Sequence, residues 1–206
     1  MNTETDTRSG SAAPELVLAS TSSYRQALLQ RLGLPFTCQP PRVDETPRDE
    51  EAPEALATRL ALAKARAVAA SHPDALVIGS DQVAAVGSRL LGKPGGFEAA
   101  RKQLRACSGR SVHFHTGLAL VCAGRELQLQ HVEPFCVHFR TLRDTEIDNY
   151  LTREQPFDCA GSFKAEGLGI SLFRALEGAD PTALEGLPLI ALCRLLRAAG
   201  LDPLGH

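Results

Sequence analysis

The chain has 206 residues, 44% of them hydrophobic and 22% charged, which is enough for one α/β domain with a buried core or two small lobes sharing a sheet. A formal net charge of -2 and an isoelectric point near 6.3 give no basic field, which argues against nonspecific binding of long nucleic acids. No apolar run is long enough to span a bilayer, and the six cysteines, Cys38, Cys107, Cys122, Cys136, Cys159 and Cys193, form no C-x-x-C pair or zinc-ligand spacing, so they read as buried, reduced thiols of a cytoplasmic protein without a membrane partner.

Residues 1–14 are polar and acidic and offer almost nothing to bury, which predicts a disordered tail ahead of a single α/β domain over 15–206. Leu16 to Ala19 reads as a strand, Ser20 to Ser23 as a hydroxyl-rich loop, and Tyr24 to Leu32 as a helix stopped at Gly33. Arg25 falls in that helix's first turn, where a cation opposes the helix dipole; it either serves a bound anion or is simply solvated behind an N-cap. Leu34 to Pro41 reads as a second strand. The following charged loop holds Asp44 and Glu45, oxygen donors of the kind Mg²⁺ takes, or an ordinary solvated acidic pair. Pro53 to Ser71 is a helix by composition, with Lys64 one turn after Leu60 and flanking the apolar stripe.

Leu76-Val77-Ile78 reads as a strand buried on both faces, followed at once by Gly79-Ser80-Asp81-Gln82. A carboxylate at a strand's end sits where ligands bind in open α/β sheets, so Asp81 is the first candidate for chemistry. Gly87-Ser88 can fold the chain back as a hairpin and bring Lys93 toward it; otherwise Asp81 caps a turn and Lys93 is solvated. Phe97 to Cys107 is an amphipathic helix, Val112 to Val121 a strand with His113 and His115 on a polar face, and Glu126 to Phe139 its hairpin partner. Thr141 to Asp144 reads as a capping box opening a helix through Leu151.

The segment Cys159 to Gly169 holds three glycines with Lys164 and Glu166 among them, and matches neither a phosphate loop nor a dinucleotide fingerprint, so kinase and dehydrogenase readings fall away. Ile170 to Phe173 reads as a strand and Pro188 to Ala199 as a last, core-forming helix.

Taken together, LASTSSYR, VDE, ALAKARA, IGSDQV, GKP, SGRSVHFHTGLAL, IDNYL, AGSFKAEGLGI and GLPLIAL resemble the Maf-like nucleotide pyrophosphatases from about Leu16 to the end. Gln82 after Asp81, KAEG at Lys164 to Gly167 and VEPF at Val132 to Phe135 are similar to the branch that hydrolyses 7-methyl-GTP. The resemblance implies a twisted mixed sheet flanked by helices, two lobes around a deep cleft, and hydrolysis of a nucleoside triphosphate between its α- and β-phosphates with a divalent cation, Mg²⁺ or Mn²⁺. It implies that Asp81 activates water, that Ser20, Arg25, Glu45, Lys64, Lys93 and Lys164 line the phosphate and metal site, and that Glu45 and Asp81 hold the metal. Tyr24, Gln82 and Glu166 match positions of base choice: 7-methylguanine is cationic, so an aromatic face attracts it, and a carboxylate can accept the two donors of its Watson–Crick edge. The alternatives are a pyrophosphatase of another triphosphate and a noncatalytic nucleotide-binding regulator of cell division. The helices' apolar faces are as consistent with a homodimer as with a monomer.

Overall fold

The computed structural model describes residues 14–205; the expected tail, Pro14 apart, lies outside them. One mixed sheet is built from β1 (Leu16–Leu18), β2 (Thr37–Cys38), β3 (Leu76–Val86), β4 (Arg89–Leu91), β5 (Ser111–Cys122), β6 (Leu127–Phe139) and β7 (Phe173–Gly178). Its order is β2-β1-β3-β5-β6-β7, with β4 pairing β3 off that path. The helices are α1 (Ser23–Gln30), α2 (Pro53–Ala69), α3 (Phe97–Cys107), α4 (Asp144–Glu154) and α5 (Leu189–Ala198).

Asp81 does not lie at a strand's end, because β3 runs unbroken to Val86, carried by nine paired positions with β5 from Val77 to Ala85. What ends at Ile78 is the pairing on the other edge. There β1 matches Leu16 to Leu18 with Leu76 to Ile78 in parallel and then departs, and β4 takes up that edge only at Ala84. Gly79 to Val83 is therefore a gap in the sheet edge, about 16 Å long at the ordinary rise of a strand. Side chains alternate through it, so Asp81 points to one face and Gln82 to the other.

On Asp81's face lies α2, packed on Val17, Val77, Ala119 and Val121 through Ala61, Ala65, Val68 and Ala69. Alanine is needed because the helix nearly touches the strands: a Cβ on Gly79 would strike the Ala61 carbonyl, and one on Gly117, Asp81's partner in β5, the Ala57 carbonyl. On the opposite face α5 packs through Leu192, Leu195 and Leu196 on Leu16, Leu18, Ile78, Leu118 and Leu120. Farther along, α3 and α4 cover Ala84, Val86, Phe114 and Val137.

Four further expectations change. The strand expected over Leu34 to Pro41 shrinks to Thr37–Cys38, since only those residues pair with β1. Ile170 is 54% exposed in a 3-10 turn, Leu168–Leu172, and β7 starts only at Phe173. The glycines explain it: a Cβ on Gly169 would strike the Lys164 carbonyl, so the segment folds back on itself instead of extending. The capping box of α4 is not Thr141 to Asp144; the Arg143 N–H donates to Glu146 at 2.8 Å. Finally, all six thiols are free, but only Cys107 and Cys122 are fully buried.

Candidate functional site

A cavity of about 810 Å³ opens at the gap in the sheet edge. Of the residues singled out in the sequence, Ser20, Tyr24, Arg25, Glu45, Lys64, Asp81, Gln82, Lys93 and Glu166 line it together. Lys164 does not, although Phe163, Ala165 and Glu166 around it do; its N–H donates to the Tyr150 hydroxyl at 3.1 Å.

On the α2 face, buried Lys64 places its ammonium 2.6 Å from Asp81 Oδ1 and 2.6 Å from Glu45 Oε1. The close approach of α2 at Gly79 and Gly117 is what lets a lysine reach a carboxylate on the neighbouring strand. Glu45 comes from the loop before α2. Arg59 holds that loop, donating to Glu51 at 2.6 and 2.8 Å and to the Thr46 carbonyl at 3.1 Å. Hydrogen bonds from Arg59 hold the Glu51 carboxyl down at about 2. Asp44, the other half of the acidic pair, accepts the Thr46 N–H at 2.9 Å and is absent from the cavity wall.

At the other side stands the start of α1. Ser22 caps the helix by accepting the Arg25 N–H at 3.4 Å, and buried Ser20 accepts the Ser22 N–H at 3.1 Å. This leaves the Ser23 and Tyr24 amides of the first turn at the cavity, an arrangement suited to phosphate. The Arg25 Nε donates to the Gly186 carbonyl at 2.8 Å; burial lowers the guanidinium's pKa, and the nearby Asp81 and Glu45 charges work against that. Lys93 is exposed at the rim, carried there by the β3–β4 hairpin in which Ala84 faces Leu91.

Tyr24 donates to Asp158 Oδ2 at 3.4 Å, with the Cys159 sulfur 3.8 Å from its hydroxyl. Burial pushes the Tyr24 hydroxyl well above the ordinary phenol range, helped by Cys159, Asp158 and Glu166. It also pushes the Cys159 thiol up to about 11, so this cysteine is a neutral thiol at neutral pH. Gln82 turns its amide nitrogen to the carbonyls of Ala183 and Leu184, at 2.8 and 3.1 Å.

The sequence model of the family described as Maf-like protein matches residues 15–199. The chain belongs to the Maf-like family. Among curated members, a protein of Nitrosococcus oceani named 7-methyl-GTP pyrophosphatase is 58% identical over 92% of this chain and 95% of its own length. A Bordetella pertussis protein of the same name is 57% identical over 94% of this chain and 96% of its own. Of solved structures, a HAM1 protein from Coxiella burnetii is similar at 24% identity and a TM-score of 0.46, over 62% of this chain and 73% of that one.

This Maf-like chain also uses residues that the sequence reading passed over. Buried Asp180 accepts from the Thr182 N–H and hydroxyl at 3.0 and 2.6 Å and from the Ile190 N–H at 2.7 Å, tying the loop before α5 to that helix's first turn. Buried Ser80 donates to the Gly186 carbonyl at 2.9 Å. The signal was present as Asp180-Pro181-Thr182, a turn-forming triplet ahead of a helix start.

Proposed function

We propose that this chain is a nucleoside triphosphate pyrophosphatase that converts 7-methyl-GTP and water to 7-methyl-GMP and pyrophosphate. The observation that carries the chemistry is the convergence of Asp81 and Glu45 on the one Lys64 ammonium inside the gap of the sheet edge. The substrate rests on the two relatives of that name, which the chain matches over almost its whole length.

The triphosphate lies between the α1 start and Lys64, with Lys93 at the rim. Asp81 accepts a proton from the attacking water, whose oxygen bonds to the α-phosphorus as the bond to the α–β bridging oxygen breaks; pyrophosphate leaves with that oxygen and its electron pair. Lys64 orients Asp81, and Arg25 offers the rest of its guanidinium to the phosphates while Nε stays on Gly186. No protein nucleophile is needed, since phosphoryl transfer depends on positioning and charge neutralisation.

Among the described residues no cluster of three or more His, Cys, Asp or Glu is placed to hold a metal. Two hard carboxylates beside a phosphate-bearing substrate nonetheless fit Mg²⁺ or Mn²⁺, which take one or two carboxylates together with phosphate oxygens and water. Glu45 and Asp81 would hold the ion, which supplies charge for the leaving pyrophosphate. A two-lobed enclosure of the nucleotide, a cytoplasmic location and a homodimer complete the proposal.

Purified protein with Mg²⁺ or Mn²⁺ should release pyrophosphate from 7-methyl-GTP faster than from GTP, UTP or dTTP. Release from another nucleotide alone would replace the substrate, and tight binding of 7-methyl-GTP without any release would replace the enzyme with a regulator.

A further inference from the structure

Gln82 adjoins Asp81, lines the cavity and matches a position of base choice, yet its amide nitrogen is already committed, leaving Oε1 without a protein partner among the described residues. Nε2 donates to Ala183 and Leu184 carbonyls and stands 3.2 Å from the Thr116 hydroxyl, so both amide protons are in use. The loop it holds is fixed elsewhere as well. Asp180 anchors its root to α5, the Thr116 hydroxyl donates to Ala183 at 2.9 Å, and Gly186 accepts from both Ser80 and Arg25. Between these anchors Glu185 enters the cavity wall, its carboxylate 3.1 Å from Arg31 Nη2 and within the field of Glu166.

We propose that Glu185 is a specificity-determining residue facing the positive charge of the methylated base, and that Gln82 is a positioning residue whose amide nitrogen acts on base choice through this loop. The inference rests on 7-methyl-GTP being the substrate. Guanine and 7-methylguanine share a Watson–Crick edge and differ by one positive charge, so a carboxylate beside the ring favours only the methylated form. Burial, which raises the Glu185 carboxyl despite Arg31, also means that its interaction with a cation is less screened than in open water.

The test compares the full-length chain with Glu185→Gln, Gln82→Met and the double variant. Two ratios of 7-methyl-GTP to GTP are read: kcat/KM with Mg²⁺, and dissociation constants by calorimetry without metal. Each single change lowers both ratios about tenfold, equivalent to about 1.4 kcal/mol, and the double variant falls no further than the lower single. Thr116→Val, at a residue outside the cavity wall, moves the ratios in the same direction by loosening Ala183, whereas a merely structural role would lower stability and leave them alone.

An unchanged ratio in Glu185→Gln overturns the role of Glu185. A double variant about a hundredfold down shows that Gln82 reads the base itself and overturns its positioning role. Binding selectivity that behaves as expected without pyrophosphate release removes the pyrophosphatase reading and leaves this proposal standing. A wild-type chain that binds both nucleotides equally overturns it.

Discussion

Asp81 and Gln82 are consecutive in β3 and project to opposite faces of the sheet, and the two faces hold them by different means. On Asp81's face a helix of seventeen residues lies directly on the strands, with glycines below and alanines above, and the polar contact is a buried Lys64–Asp81 pair whose ammonium also meets the exposed carboxylate of Glu45. On Gln82's face an irregular loop crosses the sheet and is held by amide and hydroxyl donors on its carbonyls. The first arrangement fixes charge at one point and tolerates little movement, as the proposed proton acceptor and its partner require. The second is a set of separate hydrogen bonds, the neutral ones each worth about 1 kcal/mol net and the rest made by the Arg25 guanidinium and the Asp180 carboxylate, that can be retuned residue by residue. The proposed roles thereby place chemistry and selection on two sides of a single strand.

The largest effect should come from Asp81→Asn, which keeps shape and removes the base. Pyrophosphate release should fall at least about a hundredfold, and thermal unfolding should also come earlier, because buried Lys64 keeps only the exposed Glu45 as a charged partner. Turnover at the wild-type rate would break the division between faces. Gly79→Ala comes next. Its methyl would meet the Ala61 carbonyl and force α2 away, at a cost of about 1–3 kcal/mol. Urea unfolding reads the loss, and a fall in kcat with an unchanged 7-methyl-GTP to GTP ratio would show that the damage stays on the Asp81 face.

Most helices and long strands were legible because their signals are local. Pro53 at a helix start and the 97–107 stripe with Gly109 behind it fix α2 and α3 almost to the residue. Asp81, Glu45 and Lys64 were legible as chemical types, but their meeting was not, since it depends on Gly79 and Gly117 lying under Ala61 and Ala57, contacts between segments about 20 to 60 residues apart. That Gln82 also holds a loop was not legible, because its partners, Ala183 and Leu184, are backbone carbonyls about a hundred residues away and leave no side-chain trace. Ile170 was placed in a strand on its apolar neighbours, and the glycine fold-back at Gly169 outweighed them.

Asp180→Asn probes the other face. Asp180 accepts through both oxygens and the amide keeps only one, so an NH2 group would face either Thr182 or the Ile190 N–H, and about 2 kcal/mol of stability should go. Catalysis at saturating substrate should change less than base selectivity. Equal losses in both would mean that the loop also serves Asp81.

The smallest effect is a titration confined to the Asp81 face. Glu51, held to about 2 by Arg59 from an ordinary value of 4.5, binds its proton less readily when folded than when unfolded. Its contribution is therefore complete above the unfolded value and is lost as pH falls from 4.5 toward 2. Arg59 joins Glu51 to the Thr46 carbonyl, so the structure released is the loop that carries Glu45. Hydrogen exchange should show the Thr46 and Arg48 amides protected at about pH 4 and exposed as the pH approaches that of Glu51 itself. In Glu51→Gln the same amides should exchange freely at about pH 4, with Leu184 to Gly186 unaffected, because the donors on those carbonyls belong to the other face. Coupled exchange of the two segments would mean that the faces yield as one unit, and the separation of chemistry from selection would then be a matter of contacts alone.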